Sequence, residues 1–263
     1  MRARSLLWGT FALLVLWPVS VSAQLFDPDN IDMGSGKVIG PDNNMGSGQL
    51  FNPNNIDMGA KTVDVGGVSV SVVTPSNLCG LNESDPIDAA ILAQMRAMNP
   101  NNVALAAYLD CSELADIKAG ARQYMTKYIS VGTTQNALYQ NLTGQETALV
   151  ANACGNTSAE RALGESIDAM RQRMQSLAEG TELMGVESLG PVKQTADTCY
   201  VGYLTKTNID GVTITQVSVI AFFILKGKLI AVNDFTSYYP GALDALLAEQ
   251  ETYVAALRSA NYY

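Results

Sequence analysis

Residues 212–236 constrain the fold more than any other stretch. Val217 to Leu225 is apolar at both alternating sets of positions apart from Ser218. A strand of that kind needs cover on both faces, so it reads as a central strand. As a helix it would fall short of the roughly 20 residues that cross a bilayer. Lys226-Gly227-Lys228 supplies a turn, and 228–236 returns as a second strand. Upstream, 184–194 and 198–206 are strand-like, and Asn208 to Gly211 forms the other strong turn. Four such segments in succession predict an antiparallel meander.

Other elements follow from local chemistry. Val63 and Val65, then Val68, Val70 and Val72, have strand period, broken at Gly66-Gly67 by a turn or bulge. Asp85-Pro86 starts a helix, with Asp85 as cap and Pro86 in the first turn. Ile87, Ile91, Met95 and Met98 share its inner face, and Asn99-Pro100 ends it. Val103 to Leu109 reads as a strand and Ser112 to Ala119 as a short helix. Gln123 to Val131 reads as a strand with Tyr124 and Tyr128 on one face. Thr134 to Asn152 reads as a helix. Ser158 to Glu179 reads as another, with Ala159, Leu163, Ile167, Met170, Met174 and Leu177 as its core stripe. Pro240 opens a last helix with Leu243, Leu246, Leu247, Tyr253, Val254 and Leu257 inward. The fold class is therefore α+β, with helices packed on an antiparallel sheet.

The first 62 residues are different material. Arg2 and Arg4, the apolar run Leu6 to Leu16, Pro18 and the small residues of Val21-Ser22-Ala23 read as a signal peptide, 1–23, cleaved before Gln24. Residues 24–62 read as a flexible Asn/Asp/Gly-rich tail. Leu25-Phe26-Asp27-Pro28-Asp29-Asn30-Ile31-Asp32-Met33-Gly34 returns as Leu50-Phe51-Asn52-Pro53-Asn54-Asn55-Ile56-Asp57-Met58-Gly59. Leu25, Phe26, Ile31 and Met33, with Leu50, Phe51, Ile56 and Met58, are candidate partner-binding anchors. Two weak anchors on one chain gain avidity. Asp27, Asp29 and Asp32 resemble a calcium loop only superficially, because Ile31 stands where a ligand is needed. The single domain then spans 63–263.

Cys79, Cys111, Cys154 and Cys199 are the only cysteines. None forms a C-x-x-C pair, so zinc is not indicated, and an even count in an exported chain predicts two disulfides. Three pairings are open. Sequential pairing, Cys79–Cys111 and Cys154–Cys199, closes the shorter loops and is preferred, at about 3.5–4 kcal/mol per bridge in the chain-entropy picture.

The chain has no histidine. That excludes Ser-His-Asp triads, HExxH zinc sites and imidazole-activated thiols. No phosphate-binding glycine loop, nucleophile elbow or Ser-x-x-Lys dyad is present. A pI near 4.5 and a net charge of −9 argue against nucleic acid. Cleavage at residue 23 would remove two arginines and no acid, leaving a more acidic chain. Both tryptophans lie in that segment, so no mature tryptophan stacks on sugars. Paired carboxylates remain the one catalytic option. Asp110 and Glu113, beside Cys111 at a strand-to-helix junction, and Asp234, in an otherwise apolar strand, are the candidates; helix capping and structural burial explain the same residues. No metal or cofactor is expected.

Val72-Val73-Thr74-Pro75 closing a strand, the meander through Phe222-Phe223-Ile224-Leu225-Lys226-Gly227-Lys228, and the helix after Tyr238-Tyr239-Pro240 together resemble PsbP/Mog1-type α+β domains. The resemblance covers roughly 62–263 and implies an accessory or binding protein without a shared active site. The cysteines and the long helix at 158–179 depart from that pattern, and no residue role carries over. The expectation is an exported non-enzymatic accessory or binding protein, periplasmic or secreted, with an envelope or extracellular protein partner and no membrane span after cleavage. The alternatives are a carboxylate-dependent hydrolase and a small-ligand or lipid-binding domain with a pocket between sheet and helices.

Overall fold

The computed structural model describes residues 60–122, 124–155, 167–177, 181–209 and 211–262. The expected signal peptide, nearly all of the repeat segment, and Ala159 and Leu163 lie outside the described residues.

Strands β1 (Ala60–Val65) and β2 (Val68–Val73) form a hairpin, and Gly66-Gly67 is its turn. The short β3 (Leu78–Gly80) follows. Helix α1 (Pro86–Met98) starts as its sequence dictates, with the Asp85 carboxylate accepting the Ile87 and Asp88 N–H groups. It ends at Asn99. Strand β4 (Asn102–Asp110) runs directly into α2 (Cys111–Lys118). Next come β5 (Lys127–Thr134), α3 (Glu146–Gly155) and α4 (Ile167–Leu177). The meander is β6 (Thr181–Gln194), β7 (Thr198–Ile209), β8 (Val212–Leu225) and β9 (Lys228–Ser237), and α5 (Ala242–Ser259) closes the domain.

Seven strands make one antiparallel sheet in the order β3-β4-β5-β9-β8-β7-β6. The α+β class holds. β8 is central, between β7 and β9. Its odd positions, Val217, Val219, Ala221, Phe223 and Leu225, join a core with α5 and the β1–β2 hairpin. Its even positions Ile220 and Phe222 pack with Val150 and Cys154 of α3 and Met170 and Met174 of α4. α1 and α2 cover the β4–β5 end of the sheet through Ile91, Met95, Leu114 and Ile117. The sheet is thus the middle of three layers.

Both disulfides form in the sequential pairing. Cys79–Cys111 ties β3 to the first turn of α2, and Cys154–Cys199 ties α3 to β7.

Four expectations need correction. Residues 134–152 do not form one helix. Thr134 Oγ1 accepts the Ala137 N–H, Asn141 Oδ1 accepts the Thr143 N–H, and Leu142 donates to Gly227 O, so a folded loop precedes α3. β5 starts at Lys127, so Tyr124 lies ahead of it at 37 % exposure while Tyr128 is fully buried, and the two share no face. Glu113 holds the Thr126 and Lys127 N–H groups at that entry. The last helix begins at Ala242 behind a left-handed Gly241, not at Pro240. The first strand begins at Ala60, ahead of the expected boundary.

Two neighbouring glycines make different demands. Gly66 (φ +55°) lies where a Cβ would sit 2.0 Å from the Leu138 carbonyl oxygen, whereas Gly67 (φ +85°) faces open space. Gly67→Ala should cost about 1 kcal/mol of backbone strain. Gly66→Ala should cost at least about twice that, because the loop must also give way. Urea unfolding of both variants checks the order, and equal costs would refute it.

Candidate functional site

The three sequence candidates are all held within the fold. Asp110 is the N-cap of α2: its Oδ1 accepts the Ser112 and Glu113 N–H groups. Glu113, one turn into the helix, is buried. Its Oε2 accepts the Thr126 N–H at 2.9 Å and the Lys127 N–H at 3.3 Å, while its Oε1 takes Arg122 and the Thr126 hydroxyl. Glu113 therefore shapes the turn that feeds β5.

Asp234 lies on β9 with Ile129 of β5 opposite it on one side and Val219 of β8 on the other. Lys127 is two residues before Ile129, on the same face, so its side chain reaches diagonally to the aspartate. Helix α5 crosses this face and adds Glu249. Lys127 Nζ lies 2.7 Å from Asp234 Oδ1 and 2.6 Å from Glu249 Oε2. The Asp234 side chain is 0 % exposed, Glu249 15 % and Lys127 20 %.

Burial drives the Asp234 carboxyl well above its ordinary range; the Glu249 charge pushes it the same way, and Lys127 offsets only part. Burial opposes the Lys127 charge, yet the two carboxylates outweigh it and hold the ammonium above the usual lysine range. One cation faces two carboxyl groups, and burial makes Asp234 the one pushed toward its neutral form. Beside this cluster, Gln250 Nε2 donates to Val219 O and Val232 O, and Tyr253 OH donates to Val73 O.

Glu113 and Asp234 thus meet at one residue, the first through the Lys127 backbone and the second through its ammonium. Asp110 serves α2 alone. Sequence reading missed Lys127 and Glu249. Glu249 and Gln250 occupy positions on the same helix face as Leu246, Tyr253 and Val254, and polar residues on a core-facing stripe are a readable signal. Lys127 had none, since only the β5–β9 register brings it to a residue 107 positions away.

Among the described residues, no group of three or more His, Cys, Asp or Glu could hold a metal ion, and no helix is long and apolar enough to cross a membrane. The candidate tail anchors lie outside the described residues.

No family model and no curated protein matches this sequence. Among solved structures, the Ran-binding protein Mog1p of Saccharomyces cerevisiae matches at 12 % identity and a TM-score of 0.28. The match covers 78 % of this chain and 93 % of that one. A mutant of the protein Mog1 matches at 13 % identity and a TM-score of 0.26, with the same coverage. Both are weak resemblances at the level of the fold.

The bonding pattern ranks two substitutions. Asp110→Ala removes a helix cap and should cost about 1 kcal/mol. Glu113→Ala leaves two backbone N–H groups and Arg122 without their acceptor and should cost about 3 kcal/mol. Chemical denaturation of both variants checks this, and a smaller loss for Glu113→Ala would contradict the assignment.

Proposed function

We propose that this chain is an exported accessory or binding protein of the cell envelope or exterior, acting without turnover of an external substrate. The observation that carries this reading is the use made of the three acids that a hydrolase would need. Asp110 caps a helix, Glu113 binds a turn, and Asp234 is fully buried beneath α5. A glycosidase-type pair instead flanks a substrate, with both carboxylates reaching it.

The compartment is supported by two disulfides, which persist in oxidising surroundings, and by the n-region, apolar run and small residues of 1–23. Among the described residues, buried apolar side chains pack between sheet and helices on both faces, which favours partner binding over a ligand pocket. Partner contact is assigned to the duplicated Leu-Phe and Ile-x-Met anchors ahead of the domain.

Two measurements test this reading. Protein recovered from the envelope or medium should begin at Gln24 and carry no free thiol; a retained residue 1 or four titratable thiols would refute export. A variant starting at Ala60 should lose the partners that the mature chain captures from its own envelope fraction. If it keeps all of them, the repeat segment is a spacer.

A further inference from the structure

Among the described residues, three lysines each contact two or more acceptors, and they differ in burial and in the chemistry of those acceptors. Lys228 is buried, and its Nζ donates to three backbone carbonyls, Gly66 O, Leu138 O and Gln140 O. Amide carbonyls are poor acceptors of a nucleophile, so Lys228 is a staple. Lys118 faces two carboxylates, Asp88 at 2.8 Å and Asp85 at 3.1 Å, but it is 33 % exposed and water keeps its charge. Lys127 combines both conditions: two carboxyl groups within 2.7 Å, one of them fully buried.

We propose that Lys127 and Asp234 condense into an intramolecular amide that cross-links β5 to β9, with Glu249 as the proton-transfer group. The reactants are the Lys127 ammonium, the protonated Asp234 carboxyl and the Glu249 carboxylate. Glu249 takes one proton from Lys127 Nζ, its contact at 2.6 Å. The freed lone pair attacks Asp234 Cγ, forming the N–C bond. Glu249 relays a second amine proton to the departing hydroxyl, the C–O bond breaks, and water leaves. The products are one amide, one water and a protonated Glu249, so atoms and charge balance and no oxidant or other reactant is needed.

Four observations support the step. The nucleophile already lies beside the acyl group, 2.7 Å from Oδ1, and holding two reactants together makes their reaction intramolecular. Burial penalises the charged form of the acid and pushes the Asp234 carboxyl toward its neutral, electrophilic form, while the Lys127 ammonium must first give up a proton, which is the task of Glu249. Asp234 Oδ2 is buried and, among the described residues, has no hydrogen-bond partner, so no other contact competes for the proton that turns it into the leaving water. Condensation removes a buried charge pair that costs stability to maintain, and the apolar neighbours Ile129 and Val219 shield the amide from hydrolysis.

The test is the mass of the purified protein, set against the sequence from its measured N-terminus, after its disulfides are reduced. The wild type should weigh about 18 Da less than its sequence, one water having left in the acyl transfer. Trypsin should fail to cut after Lys127, and the linked peptide pair should carry Lys127 and Asp234, with Lys118 unmodified. Glu249→Ala and Lys127→Arg should return to the unlinked mass. Asp234→Asn should form the same amide with loss of ammonia, about 17 Da, by the same attack. A wild-type mass equal to the sequence overturns the proposal, as does a water loss confined to a single peptide, which marks a cyclised aspartate. A linked pair surviving in Glu249→Ala overturns the role of Glu249. The wild-type measurement needs no variant to fold and is independent of export or partner binding.

Discussion

Burial of β8 on both faces organises the rest of the molecule. A strand with Val219, Ala221 and Phe223 on one side and Ile220 and Phe222 on the other cannot leave either side to water. The sheet must therefore be a middle layer, and the chain has to supply two covers. It draws one from its middle, where α3 and α4 bridge from β5 to the far edge strand β6. The other comes from both ends of the domain, as the β1–β2 hairpin and α5 share one core. Placement of the ionisable cluster follows: Lys127, Asp234 and Glu249 lie on the side closed by the terminal helix.

The two covers are fastened differently. On the α3 side the Cys154–Cys199 bridge joins helix to sheet covalently. On the α5 side the fastening is polar: Gln250 and Tyr253 reach backbone carbonyls of β8, β9 and β2. A three-residue edge strand such as β3 makes too few ladder bonds to be stable alone, and Cys79–Cys111 compensates by fixing it to α2.

Legibility in the sequence tracks the range of the interaction. The meander, its turns, the Asp85-Pro86 helix start and the Asp110 cap depend on neighbours a few residues apart, and all were readable. Asp234 stood out because one acid interrupted an apolar strand. Its partners did not, because Lys127 is brought in by strand register and Glu249 by the path of a helix over the sheet. Residues 134–152 misled for a related reason. Their moderate helical period is local, but Leu142 donates to Gly227 in the β8–β9 turn, and this distant contact together with the Asn141 turn overrides it. The Tyr124–Tyr128 pairing failed where Glu113, 13 residues upstream of Thr126, sets the start of β5.

Asn261 shows what the closing order of the layers entails. Its side-chain amide accepts from Ser71 N–H and donates to Ser71 O, occupying the open edge of β2 as a neighbouring strand would. The first hairpin of the domain is thus completed by one of its last residues. During synthesis from the N-terminus, the hairpin has emerged long before its partner, and one face of the sheet has no lid until α5 follows. Such a domain cannot finish folding before α5 has emerged.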